Sequence, residues 1–232
     1  MADLSAFPIT RRWPAENPGI LQLYSFPTPN GVKASIMLEE TGIAYEAHKV
    51  TLSDEDVKSD AFLSLNPNNK IPAIIDPNGP DGKPMGLFES GAILIYLADK
   101  AGQLIGTTGA ERAQVIQWLM FQMGGLGPML GQLGFFYKFA GSEWEDKRPQ
   151  QRYIDEAKRL LGVLNLELAG KEWVAGDYSI ADIAIAPWLR ALDFYGAKEA
   201  VNWDDHGNLV DYVARFEARP AVQKGLEIPA RD

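Results

Sequence analysis

Three short stretches carry residue types that can do chemistry on a ligand. The first is TPNG, Thr28 to Gly31, where an apolar run gives way to helical spacing. A helix start needs one capping residue, yet this junction supplies the hydroxyl of Thr28 and the carboxamide of Asn30. Either group can cap the helix, or it can address a ligand at the carboxyl end of the preceding strand. The second stretch is NNKIPAI, residues 68–74. Pro72 cannot donate to a sheet ladder, so it marks either a plain edge-strand start or an unusual bond. If the Ile71–Pro72 peptide is cis, as in about one X–Pro bond in twenty, the Ile71 backbone turns outward. It can then pair with an extended peptide by strand addition. The third is FESGAILIYL, residues 88–97. Ser90 begins a helix, so its hydroxyl and the first free amides either cap that helix or receive a carboxylate. Glu89 beside it offers a negative charge to an ammonium. Together they match the two charges of an α-amino-acid group.

Composition narrows what these stretches can do. The chain of 232 residues has no cysteine and two histidines, His48 and His206, at unrelated spacings. A thiolate nucleophile and a Cys-ligated metal are excluded, and neither a His-based metal site nor a serine triad is expected. Any thiol chemistry must use sulfur carried in by a ligand. The formal charge of −9 repels nucleic acid and anionic membranes, so neither is expected as a partner. No apolar run is long enough to span a bilayer and the N-terminus lacks an apolar signal core, which predicts a cytoplasmic location. Two glycine-rich stretches imitate ligand loops. GLGPMLGQLG (125–134) follows helical spacing and lacks a Lys-Ser/Thr, so it reads as close helix–helix approach. DPNGPDG (76–82) lacks a glutamate at the twelfth position and reads as a hairpin turn.

The elements that must position these residues follow from periodicity. ILQLYS (20–25), YEAHKVTL (45–52), IPAII (71–75) and MGLFE (85–89) have strand patterns. NGVKASIMLEETG (30–42), SDAFLSL (59–65) and SGAILIYLADK (90–100) have helical ones. The order β-α-β-α-β-β-α is that of a thioredoxin-like α/β domain. Beyond the Gly/Thr linker 102–109, every periodic segment is helical. The expected organisation is an extended arm over 1–18, a ligand-binding domain over 19–101, and an all-α domain over 110–232.

TPNGVK, NPNNKIPAI, FESGAILIYLA, the segment ending GGLGPMLGQ and YSIADIAIAPW together resemble a cytosolic glutathione transferase. The likeness is greatest to the bacterial nu class and the related regulatory proteins of its wider group, and runs from Leu21 to Pro220. The resemblance implies glutathione as co-substrate, no metal, and a homodimer in which the helix around WLMFQMGGLGPM joins the interface. It implies that Ile71, before a cis Pro72, pairs through its backbone with the cysteinyl unit of glutathione. Glu89 and Ser90 would hold the γ-glutamyl group, with Lys70 close to the tripeptide and Arg152 reaching the site from the helical domain. Thr28 and Asn30 match the positions that address the glutathione sulfur, where a hydrogen bond and the positive helix end favour the thiolate. SIAD (179–182) matches the family's helix-capping box.

Two departures accompany the likeness. Tyr24 lies near the position of the catalytic tyrosine of other classes but reads as packing. Val57 stands where a polar glutathione contact is often found, with Lys58 adjacent. The implied activity is glutathione-dependent reduction of a small disulfide, with minor peroxide reduction. Conjugation of small electrophiles, in a pocket using Phe135, Phe136 and Tyr137, is the alternative. A non-catalytic glutathione-binding regulatory protein is the third reading.

Overall fold

Strand β1 (Leu21–Ser25) is buried at all five positions, which makes it a central strand rather than an edge. In the computed structural model, which describes residues 4–231, it is followed by α1 (Gly31–Thr41), β2 (Tyr45–Lys49), α2 (Asp54–Val57) and α3 (Asp60–Leu63). Then come β3 (Ala73–Asp76), β4 (Met85–Phe88) and α4 (Ser90–Ala101). The helical stretch comprises α5 (Gly109–Phe121), α6 (Gly127–Tyr137), α7 (Arg148–Glu167), α8 (Ile180–Tyr195) and α9 (Gly207–Glu217), and α10 (Pro220–Gly225) follows. α2 was not anticipated from periodicity, since DEDV has a single apolar residue. The remaining α/β order is as expected.

The four strands lie in the order β2-β1-β3-β4, with β1 parallel to β2 and antiparallel to β3, and β3 antiparallel to β4. The register sets Tyr24 opposite Ala73, and Ala73 opposite Phe88. The end of β1, the start of β3 and the end of β4 therefore share one edge of the sheet. Alternate side chains leave a strand on opposite faces. Tyr24, Ala73 and Ile75 enter a cluster with Val50, Val57, Phe62 and Ile71.

The same cluster contains Leu4 and Ile9, so residues 4–18 are not the extended arm that their lack of periodicity predicted, and residues 1–3 of that expected arm lie outside the described residues. Pro8–Arg11 form a short 3-10 helix, which Pro8 favours by fixing φ at the start. Trp13 donates to the Lys49 carbonyl at 3.0 Å, and Arg12 pairs with Asp56 at 2.6 Å. The Glu46 carboxylate accepts the backbone N–H groups of Glu16 and Asn17 at 2.9 and 2.8 Å. The edge strand β2 is thereby covered rather than left as an open template.

The chain divides into two units, one holding the residues up to Gly102 with those from Pro220 onward, the other Gln103–Arg219. The last stretch thus groups with the α/β part and not with the helical domain expected over 110–232. Ser35 on α1 donates to the Gly225 carbonyl at 2.6 Å. A Cβ on Gly225 would lie 2.6 Å from Ile36 Cα, so only glycine permits this approach. Within the helical unit, α5 starts at a capping box of Thr108 and Glu111, and α8 at one of Ser179 and Asp182. Gly131 and Gly134 of α6 face the Trp188 and Tyr195 rings of α8, which is the helix contact read from GLGPMLGQLG. Among the described residues no helix is long and apolar enough to cross a membrane.

Burial pushes the Glu46 pKa up, but the N–H donors of Glu16 and Asn17, with His48 and Gln22, hold it below the ordinary carboxylate value. A depressed carboxylate contributes stability that is present above the unfolded pKa, near ~4.3, and is lost as pH falls through the folded value. Glu46→Ala should therefore lower unfolding free energy by about 1–2 kcal/mol at neutral pH. Urea titrations at falling pH should show the gap from wild type closing below about pH 4.

Candidate functional site

At the end of β1 the chain turns into α1 through Thr28, Pro29 and Asn30. The Thr28 carbonyl accepts the Val32 N–H at 3.0 Å, and its hydroxyl oxygen accepts the Gly31 N–H at 3.2 Å. Thr28 thus does the capping while its hydroxyl proton remains a donor. Asn30 occupies the N-cap position in a helical conformation and makes no side-chain capping bond. Gly31 is required by space: a Cβ there would lie 1.9 Å from the Phe26 carbonyl oxygen and 2.7 Å from Ser25 Oγ.

Before β3, buried Asn66 orders the NPNNK loop by donating to the Lys70 carbonyl and accepting the Asn68 N–H at 2.9 Å. Asn69 takes a positive φ of 51°, and the Ile71–Pro72 peptide is cis. The cis form, rather than the plain edge proline, is therefore the one present. Ile71 is buried and the Lys70 side chain is exposed.

After β4, Glu89 adopts φ 73° and ψ 115°, a conformation that costs an L residue about 1–3 kcal/mol. Its carbonyl accepts the Ile93 N–H at 2.9 Å, leaving Glu89 exposed and Ser90 buried at the helix start. Beneath Ser90 lies Lys33, which is fully buried and donates from Nζ to Ser90 Oγ at 3.2 Å. Burial pulls the Lys33 pKa down to about 7, against the opposing pull of the Glu89 charge. The sequence reading passed over Lys33. Its signal is the spacing from Lys33 to Ile36 and Met37, which sets the lysine on the apolar face of α1.

The register thus collects Thr28 and Asn30, Ile71 and Pro72, and Glu89 and Ser90 at one sheet edge. Arg152 lies on α7 of the helical unit, exposed. Tyr24 is fully buried, its ring stacked on His48 at 4.7 Å, and burial raises its pKa. Its hydroxyl has no hydrogen-bond partner among the described residues. Val57 is buried in the core, and Lys58 pairs with Asp54 at 2.7 Å. His48 is bonded to Gln22 at 2.8 Å, and burial lowers its pKa. No cluster of metal-ligating residues exists among the described residues.

The model of the glutathione S-transferase N-terminal domain matches residues 20–99, and that of the C-terminal domain matches 128–220. The disulfide-bond oxidoreductase YfcG of Escherichia coli is 41% identical over 220 residues, covering 89% of this chain and 94% of the relative. The chain belongs to the glutathione S-transferase family. The disulfide-bond oxidoreductase YghU, also of E. coli, is 42% identical to this transferase over 217 residues, 88% of it and 73% of the relative. Among solved structures, a Pseudomonas putida glutathione transferase with one glutathione disulfide bound per subunit superposes with a TM-score of 0.97. It is 62% identical, covering 98% of this transferase and 99% of its own chain. A Burkholderia graminis enzyme with two glutathione molecules per subunit superposes with a TM-score of 0.98 at 65% identity. That match covers 100% of this transferase and 98% of the other chain.

Two substitutions probe the transferase's sheet edge. Gly31→Ala should destabilise the fold by roughly 3 kcal/mol, since a backbone carbonyl occupies the space the methyl needs; thermal unfolding measures it. Tyr24→Phe removes an unpartnered hydroxyl, so it should leave turnover within about twofold and stability equal or higher. A large loss of turnover would instead return Tyr24 to the sulfur.

Proposed function

We propose that this transferase is a glutathione-dependent reductase of small disulfides, with glutathione as the source of every reacting sulfur. The observation that carries the reading is the convergence of a cis Ile71–Pro72, Glu89–Ser90 and Thr28–Asn30 at one sheet edge of a chain without cysteine. It is supported by relatives named as disulfide-bond oxidoreductases, and by structures of similar enzymes holding glutathione disulfide or two glutathiones per subunit.

The roles follow from chemistry. The Ile71 backbone pairs with the cysteinyl unit, adjoining Pro72 sets the bend, Glu89 receives the ammonium, and Ser90 receives the α-carboxylate. Lys70 and Arg152 supply positive charge toward the rest of the anionic tripeptide. Thr28 and Asn30 donate to the sulfur, and the positive end of α1 adds to them, so the thiolate fraction rises. That thiolate attacks one sulfur of the substrate disulfide, forming a mixed disulfide and expelling the other sulfur as a thiolate, which takes up the proton. A second glutathione thiolate attacks the glutathionyl sulfur of the mixed disulfide. Glutathione disulfide forms and the second substrate thiol leaves. The protein acts as a homodimer in the cytoplasm on this reading.

One observation favours conjugation of apolar electrophiles as a second activity. Phe136 stacks on Tyr153 at 5.4 Å and meets Phe135 and Trp144 edge-on, with Phe135 37% and Trp144 50% exposed. Parallel assays with a model disulfide and a chloro-arene rank the two activities.

Thr28→Ala combined with Asn30→Ala should lower disulfide turnover by about a hundredfold. Glutathione affinity, measured by calorimetry, should stay within about threefold. Unchanged turnover refutes the sulfur roles, and wild-type turnover at background with tight glutathione binding indicates a regulatory protein instead.

A further inference from the structure

A net charge of −9 opposes the approach of any anionic substrate, because the field of the whole chain repels it. Several cations of the α/β unit are already neutralised. Arg12, Lys58, Lys100 and Lys224 pair with the carboxylates of Asp56, Asp54, Asp76 and Glu39 in turn. Lys49 and Arg231 differ. Both are exposed, and neither meets a carboxylate among the described residues.

These two cations are held at one place. Lys49 ends β2 opposite Ser25, at the carboxyl edge of the sheet where the chain turns toward Thr28. Residues 226–231 leave α10 and return to that edge, where the Arg231 carbonyl accepts the Lys49 ammonium at 2.9 Å. The Arg231 guanidinium donates to the Pro27 carbonyl at 3.1 Å. That bond uses one of the donors of a five-donor fork, and the rest engage nothing among the described residues. Pro27 directly precedes Thr28. The covalent path from the Pro27 carbonyl oxygen to the Thr28 hydroxyl spans at most about 5 Å, which places the bonded nitrogen within roughly 8 Å of that hydroxyl.

We propose that Arg231 is a specificity-determining residue: it receives a carboxylate of the substrate and makes acidic disulfides the favoured class. This inference rests on the reading of Thr28 as a sulfur-addressing residue of a disulfide reductase. A substrate sulfur in attack range of the glutathione sulfur lies about 3–3.5 Å from it. A carboxylate two methylenes beyond that sulfur is long enough to reach the guanidinium. The planar fork of arginine matches a carboxylate with paired N–H donors, and Lys49 adds a second positive charge. A neutral disulfide offers neither of them a partner.

Two disulfides of similar length separate the outcomes. One is neutral 2-hydroxyethyl disulfide; the other is 3,3′-dithiodipropionate, whose carboxylates stand two methylenes from sulfur. Turnover of each by the full chain is followed at saturating glutathione. Arg231→Gln should lower kcat/KM for the dicarboxylate by about tenfold, the low end for a charge-assisted hydrogen bond, since the group is exposed. The neutral disulfide should change by less than about twofold, because it lacks the group that Arg231 answers. An arginine that only steadies the turn before Thr28 would lower both alike. That result overturns the proposal, as does no change in either or a loss greater for the neutral disulfide. Should Arg231→Gln fail to fold, Lys49→Gln gives the same reading, with a loss of about threefold expected for the dicarboxylate alone. Equal effects on the two disulfides there overturn the proposal as well. A wild-type chain that reduces only the neutral disulfide overturns the preference and leaves the reductase reading standing. One that reduces neither refutes that reading itself, and the role of Arg231 with it.

Discussion

The pairing of Tyr24 with Ala73, and of Ala73 with Phe88, is the constraint on which the site depends. Three chemically useful stretches lie far apart in sequence, and none has the means to find the others. Two antiparallel pairings bring them within a few strand widths. A slip of one residue in either pairing would turn Ala73 to the other face of the sheet and displace the turn before it. The buried positions of β1 and β3 fix the register by demanding opposite faces for Leu23 and Tyr24 and for Ile74 and Ile75. The hydrophobic pattern therefore does the positioning, and the polar residues ride on it.

Local requirements then refine what the register delivers. Gly31 lets α1 begin hard against the Phe26 carbonyl, so the helix end sits close to the strand end. Glu89 holds a left-handed conformation that most side chains avoid, and the strain falls at the point where the chain enters α4. Buried Asn66 fixes the loop that leads into Ile71. Each of these is a polar or steric device at a sheet end, where loops carry function on a rigid scaffold.

Much of this was legible in the sequence. Alternation and helical spacing gave the strands and the main helices, because a face that must be buried writes its period into the residues. Thr28, Ile71, Pro72, Glu89 and Ser90 stood out by type and position at element ends, although each stretch alone was equally open to plain capping or an edge strand. The cis state of Ile71–Pro72 stayed open, since the residue types alone permit either isomer. Lys33 was missed because a charged residue in a first helical turn ordinarily reads as solvent-facing, and its burial depends on α4 packing over it. The arm was misread for a related reason. Leu4, Ile9 and Trp13 follow no period, so their common destination is a tertiary fact with no local signature.

The contact between Ser35 and Gly225 joins residues 190 positions apart. During synthesis, α1 emerges early and waits with its Ile36 side uncovered until the whole helical unit, Gln103–Arg219, has been made. A fragment ending at Gly102 would have every strand of the sheet and still lack the piece that closes over α1. The α/β unit is thus contiguous in space but not along the chain, and it is finished last although it is begun first.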